Sequence, residues 1–246
     1  MIVLIVIGGV ALGLAGLFIG LGKYQSGKSL DIQAAQTYSA GSLPQMLDRE
    51  GMALEVKGII ECDNPLVSPM TKKLCVAYDF KVERRYEERT LNDETRTNTE
   101  IVHRDNRRVN FWVRDETGRV LVLADGASFD LKQTASQFES KNNPSYGFEI
   151  DLSRNQLDFQ VNSGFNAYQY TEQALYIGQP VYVLATLQNQ QGQPVLAGRD
   201  KQRFLISWRS EEALLQSSVK WKTAFYALGS ILAVVGAGLL GYGVVR

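Results

Sequence analysis

The sequence is poor in the residues that do chemistry. It has one histidine, His103, and two cysteines, Cys62 and Cys75, among 246 residues. Structural zinc takes about four Cys or His ligands, usually in closely spaced pairs, so no metal site is expected. A phosphate-binding glycine loop is missing, because the glycines from Gly8 to Gly20 lie inside an apolar run. The Gly-x-Ser-x-Gly elbow of serine hydrolases is missing too. There is no excess of either charge: 26 Lys and Arg stand against 26 Asp and Glu. A balanced chain gives no electrostatic argument for a nucleic-acid partner. The carboxylates fall on exposed strand faces and loops, and Glu83 to Arg89 reads as a solvated face. A Cys–His nucleophile pair would need His103. Strand parity puts Cys75 opposite the Leu74/Val76 face and Cys62 on the Leu54/Val56 face, with no activating neighbour visible. Two unpaired thiols are expected, with a structural disulfide as the alternative. Catalytic residues, metal ligands and cofactors are all expected to be none.

The long apolar runs are what the sequence does have. Ile2 to Leu21 holds no charged or strongly polar residue, and Thr223 to Val245 holds no charged one. About 20 residues at ~1.5 Å rise cross the ~30 Å hydrocarbon core. Lys23 and Tyr24 follow the first run. Lys220, Trp221 and Lys222 precede the second, with Tyr226 one turn inside. Such residues suit the headgroup level. The first run lacks the basic start and small-x-small site of a cleaved signal, so it is expected to be a retained anchor. The second is too long for an ordinary core helix.

Small residues recur along both runs. Gly9 and Gly13 are four apart, as are Gly16 and Gly20, while Gly229, Ala233, Ala237 and Gly241 form a stripe. In lipid such stripes let helix backbones approach closely. The four-member stripe is expected to pack the two spans on each other or on a second copy.

The middle of the chain changes period. Ser26 to Ser42 reads as a polar linker. Ser42-Leu-Pro-Gln45 looks like a capping box opening a short helix to Arg49, with Gly51 ending it. Leu54, Val56 and Ile60, then Leu74, Val76, Tyr78, Phe80 and Val82, alternate as strands do. Val109 to Val113 and Arg119 to Leu123 make a hairpin about the turn Asp115-Glu-Thr-Gly118. A second hairpin joins Val181–Leu187 to Val195–Ala197 through a polar loop from Gln188 to Pro194. Phe204 to Ser207 is a last short strand. Glu172 to Tyr176 reads as a helical turn. Arg84 to Asn106 reads as a protruding hairpin tip or mobile loop, and Lys132 to Gly147 as irregular. A helix is expected to start near Ser210, with Glu211 and Glu212 in its positive first turn. It meets no breaker before Val245, so it would run ~35 residues and ~50 Å. The fold class expected is mainly β: a small OB-like barrel or sandwich between two transmembrane helices. The divisions are 2–22 transmembrane helix, 23–50 linker and short helix, 51–209 β domain, 210–222 juxtamembrane helix and 223–245 transmembrane helix.

Several pieces resemble a known family. They are Val56-Lys-Gly58, Pro65-Leu-Val-Ser-Pro69, Cys75-Val-Ala-Tyr78, Val109-Asn-Phe-Trp-Val-Arg-Asp115, and Thr117-Gly118 before Val120-Leu-Val122. Tyr170-Thr-Glu172, Ile177-Gly178, Val181-Tyr-Val183, Phe204-Leu-Ile-Ser207 and Trp221-Lys222 follow in order. The chain resembles the GIDE, or "beside a membrane", family. This is the membrane-anchored domain of MULAN-type mitochondrial E3 ubiquitin ligases and their prokaryotic relatives. The resemblance covers most of residues 50 to 245 and implies a β domain between two membrane helices in an exoplasmic space. In the ligases a zinc-binding RING follows the second helix. Here the sequence stops at Arg246 without the RING ligands, so ubiquitin transfer is not expected of this chain alone.

The expected function is a two-pass membrane protein whose β domain is a non-catalytic sensor or interaction module. The alternative is a component of an E3-ligase-like system, catalytic only with a RING on another chain. Expected partners are the lipid bilayer and another membrane protein or a second copy, and no nucleic acid. Orientation arguments conflict. Lys23, Lys28, Arg209, Lys220 and Lys222 flank the domain side, which favours the cytoplasm, but long loops translocate largely regardless of charge. The resemblance implies an exoplasmic domain, which is the expectation adopted.

Overall fold

The computed structural model describes residues 2–89, 95–139 and 166–245. In chain order its elements are α1 (Ile2–Ala34), β1 (Gln36–Thr37), the 3-10 helix η1 (Ala40–Arg49), β2 (Ala53–Glu61), β3 (Leu66–Val67), β4 (Leu74–Arg89), β5 (Thr95–Arg108) and β6 (Phe111–Arg114). There follow β7 (Arg119–Val122), β8 (Ser128–Asp130), β9 (Lys132–Glu139), β10 (Asn166–Tyr176), β11 (Pro180–Gln190), β12 (Gln193–Ala197), β13 (Leu205–Ser207) and α2 (Glu211–Val245). The chain divides into two compact units. One takes the two ends of the chain and Ala53–Glu55; the other takes Ser39–Met52 and Val56–Trp208.

The first unit is a helical pair with a short strand. β1 runs parallel to the start of β2, with Gln36 opposite Leu54. Thr37 Oγ1 donates to Glu55 Oε2 at 3.0 Å. α1 continues through much of the segment read as a linker, which is helical as far as Ala34. Glu211 and Glu212 sit in the first turn of α2, which is unbroken to Val245.

The second unit is built on a closed five-stranded barrel. Its strands follow one another as β2, β6, β7, β12 and β11, and a β2–β11 pairing closes the ring. β7 and β12 are parallel. The β2–β6, β6–β7 and β11–β12 pairs are antiparallel. Counted by chain position the ring reads 1-2-3-5-4-1, a Greek-key barrel of OB type. Val56, Ile60, Phe111, Val113, Val122, Leu187 and Leu196 are fully or almost fully buried. They fall at alternate positions along most strands, as inward-facing barrel residues must. β11 and β12 meet at Gln191 and Gly192, both with positive φ (54° and 83°). That is the two-residue hairpin turn whose twist matches the strands. The loop is therefore shorter than the expected Gln188–Pro194.

Two insertions into this barrel make a second sheet. Residues 62–110, between β2 and β6, supply β3, β4 and β5; residues 123–179, between β7 and β11, supply β9 and β10. The sheet runs β3-β4-β10-β9, with β5 also paired to β4. Of the stretch expected as a hairpin tip or mobile loop, Arg84 to Arg89 ends β4 and Thr95 to Asn106 belongs to β5, paired antiparallel, while 90–94 lie outside the described residues. Asp79 holds Arg104 in a bidentate pair at 3.0 and 2.6 Å, and Arg84 meets Glu100 at 2.6 Å. Lys132 to Glu139 is strand β9, not irregular; the remainder of that expected irregular stretch, to Gly147, lies outside the described residues. Glu172 to Tyr176 is the end of β10, not a helical turn. Its Glu-Gln-Ala-Leu composition favours helix, but ladders on both sides, to β4 and β9, override local propensity.

η1 plugs the barrel, packing on β7, β11 and β12 with Leu43 fully buried. The expected capping box is not made: Ser42 Oγ donates to the Ser39 carbonyl at 2.7 Å. The cap comes instead from the β6–β7 turn. Asp115 Oδ2 accepts from Ala40 N at 2.7 Å, and Thr117 Oγ1 accepts from Gly41 N at 2.8 Å. Asp115 Oδ1 meanwhile accepts from Thr117 N (2.8 Å), Thr117 Oγ1 (2.6 Å) and Gly118 N (3.0 Å). Partial burial pushes the Asp115 carboxyl up. The hydrogen bonds from Thr117, Ala40 and Gly118 outweigh it and hold the group below the usual carboxylate range.

Candidate functional site

The two long helices are antiparallel. Gly8 lies beside Gly236 and Leu240, Gly229 beside Ala15 and Ile19, and Gly22 beside Tyr226. Phe18 stacks on Phe225, with ring centroids 6.2 Å apart. A Cβ added at Gly236 would sit 3.0 Å from the Gly8 carbonyl oxygen, and one at Gly229 would sit 3.0 Å from Ile19 Cγ1. Small residues therefore set the spacing of the pair.

The packed face of α1 runs Gly8, Ala11, Ala15 and Gly22; that of α2 runs Tyr226, Gly229, Ala233, Gly236 and Leu240. The α2 positions alternate steps of three and four, and the α1 positions step by three, four and seven. A repeat of four alone overshoots a turn by ~40° per step, so Gly229 and Gly241 are rotated ~120° apart. Accordingly Gly229 and Ala233 lie on the α1 side, while Ala237 is exposed and Gly241 has no atom within 4 Å of an added Cβ. Gly9, Gly13, Gly16 and Gly20 likewise face away from α2. Gly236→Leu is expected to destabilise the pair by about 1–3 kcal/mol, the usual range for overpacking. Gly238→Leu, at a site with nothing within 4 Å, should leave it unchanged. Thermal midpoints of the two variants in detergent test this; equal effects would mean that the face is misassigned.

The most elaborate polar site is in the second sheet. Glu172, on β10, is fully buried. Its Oε2 accepts from Met70 N at 2.5 Å and Thr71 N at 3.3 Å. Its Oε1 accepts from Thr71 Oγ1 at 2.8 Å, Thr134 Oγ1 at 2.8 Å and Tyr176 OH at 3.3 Å. Burial pushes this carboxyl up, but the donors from Met70, Thr134 and Thr71 outweigh burial and hold it below the usual range. Glu172 thereby latches the β3–β4 loop onto the sheet. The loop is cross-braced as well. Ser68 Oγ meets Thr71 Oγ1 at 2.7 Å and accepts from Lys73 N at 3.2 Å, while Ser68 N donates to the Lys73 carbonyl at 3.0 Å. Lys72 is held at φ 57°. Sequence reading missed this site, since a lone Glu in a strand carries no periodic signal. The two hydroxyls in Ser68-Pro-Met-Thr71 are its one local hint.

Among the described residues, the other polar groups near a cleft or a thiol are held in local contacts. A cleft of about 240 Å³ is lined by Ala77, Asp79, Asn106, Arg108, Phe129 and Gln173 among others, and Asp79 there is engaged by Arg104. His103 packs on the Phe80 ring with centroids 5.8 Å apart. Both cysteines are free thiols. Cys75 is buried, and desolvation together with the nearby Glu172 carboxylate pushes its pKa up to about 12, so it is not a thiolate at neutral pH. Cys62 Sγ donates to the Asn110 carbonyl at 3.5 Å. Among the described residues, no group of three or more His, Cys, Asp and Glu side chains could hold a metal ion.

A family model, GIDE, described as E3 ubiquitin ligase, matches residues 81–241, well over half of the chain. No curated protein and no solved structure matches.

Proposed function

Because the chain belongs to the GIDE family, we propose that it is a two-pass membrane protein whose β unit is a non-catalytic interaction module held beside the bilayer, on the exoplasmic side. The observation that carries this reading is the exposure of the helix pair. The apolar windows Val6–Tyr24 and Thr223–Tyr242 have mean hydropathies of 1.8 and 1.9, yet only 17% and 11% of them is buried. A core helix of a soluble protein would be mostly covered. Here Val10, Leu17, Ile231 and Val234 are each more than half exposed, a surface that suits hydrocarbon and not water. The exoplasmic assignment rests on the family resemblance.

A single-cysteine variant tests the topology. Gln190→Cys, at the exposed end of β11, is introduced with Cys62 and Cys75 replaced by serine. A membrane-impermeant maleimide should label it in intact cells, the outer membrane permeabilised where there is one. Labelling only after lysis would put the β unit in the cytoplasm. Extraction of the chain by alkaline carbonate would defeat the membrane reading altogether.

The family description favours a second reading, a ligase component that works with a RING on another chain. The chain has one His and two Cys, fewer than one zinc's usual ligands. The purified chain with activating enzyme, conjugating enzyme, ubiquitin and ATP is therefore expected to give no transfer above background. Transfer by the chain alone would overturn the non-catalytic assignment.

A further inference from the structure

The latched β3–β4 loop has two sides with different characters. On the inner side Leu66 and Met70 pack against the core cluster of Cys75, Tyr78, Phe80 and Tyr170. On the outer side Val67 and Leu74 stand directly opposite each other in the β3–β4 register. They are 55% and 51% exposed. The turn between them presents Lys72 and Lys73, both exposed. No acidic residue lies between Pro65 and Leu74. A paired apolar tip next to two cations is thus held in one conformation by a buried carboxylate and a left-handed lysine.

We propose that this loop is a membrane-docking element: Val67 and Leu74 enter the headgroup region of an anionic bilayer, and Lys72 and Lys73 face the lipid phosphates. The inference rests on the membrane reading above and requires an anionic leaflet on the side where the β unit lies. Lysine stems are apolar and their ammonium groups are cationic, so both parts of the loop suit that interface. A chain with its own membrane anchors also keeps a bilayer at high effective concentration for any surface that the tether lets reach it. Because Glu172 fixes the loop beforehand, little ordering is left to be done on docking. Each lysine near an anionic surface contributes a several-fold preference for that surface, so docking should depend on lipid charge.

The test uses the full chain reconstituted into vesicles of phosphatidylcholine with or without 30% phosphatidylserine, the phosphatidylcholine brominated along its acyl chains. Val67→Trp adds an emission whose quenching is read as the difference from the unsubstituted chain; Leu74→Trp is the matching second probe. The added emission should be strongly quenched in the anionic vesicles and at least two-fold less in neutral ones. Lys72→Glu with Lys73→Glu should remove at least half of the quenching in anionic vesicles. Carbonate extraction of the chain from the vesicles would overturn the membrane reading and this inference together. A chain that resists extraction while both tryptophans stay unquenched, or are quenched equally without anionic lipid and with the two lysines reversed, would overturn the docking inference alone.

Discussion

Gly58→Ala is expected to destabilise the barrel by about 3 kcal/mol, the upper end of the range for overpacking. A Cβ at this position would lie 2.5 Å from the Arg114 carbonyl oxygen and 2.8 Å from Val113 Cγ1. The first neighbour is backbone, so it cannot rotate away. Relief requires moving β6 from β2 where Ile59 pairs with Arg114, which breaks the ladder that starts the barrel. Glycine inside a strand marks such close approaches. Gly126→Ala is the comparison. Its φ of +77° disfavours a side chain, but nothing lies within 4 Å of the added Cβ, so only the conformational cost of about 1–2 kcal/mol applies. Urea unfolding followed by the emission of Trp112, on β6 with Arg119 over its ring at 4.4 Å, separates the two. If Gly58→Ala unfolds no more easily than Gly126→Ala, the close β2–β6 approach is wrong.

The parts of the fold legible in the sequence are those set by short-range periodicity. α2 was readable because nothing between Glu211 and Val245 breaks a helix. The β6–β7 hairpin was readable because Asp115 and Gly118 bracket a tight turn, closed by Asp115 N donating to the Gly118 carbonyl at 3.0 Å. What the turn does for η1 was not readable, because Asp115 and Ala40 are far apart in sequence and meet only through the closed barrel. The second sheet was hidden for a similar reason. Its halves come from two separate insertions, and while Leu74 to Val82 alternates as a strand does, the charged continuation of β4 from Glu83 looks like a solvated face until Glu100 and Thr99 are placed beside Arg84 and Arg85. Of the stripe expected to pack on the other span or on a second copy, Gly229 lies beside α1 and Gly241 does not. Recurrence every four residues drifts around a helix, and the sequence does not say where along the stripe the partner leaves it.

Glu172→Ala is expected to be among the most damaging single changes outside the barrel, at about 3–5 kcal/mol. It would strand the Met70 and Thr71 amides, and each buried donor without an acceptor costs about 1–3 kcal/mol, partly recovered where the loop opens to water; the Thr71 and Thr134 hydroxyls would lose their charged acceptor but keep Ser68, Tyr176 and the Glu172 carbonyl as partners. Glu172→Gln should lose less, about 1–2 kcal/mol. Its single oxygen can serve the two amides, which are fixed, while its NH2 faces hydroxyls that rotate to accept. The pair of variants also yields a pH signature. The folded Glu172 carboxyl lies below its ordinary value of 4.5. Its stabilisation is therefore fully present above that value and is lost as pH falls through the folded pKa. The stability gap between the native chain and Glu172→Gln should stay constant from pH 8 to 5 and shrink below pH 4.5. Urea midpoints at each pH measure it. A gap that widened on acidification would mean that the buried group is held protonated, and the latch would then be a neutral carboxylic acid donating to one of its hydroxyl neighbours rather than an anion gathering five donors.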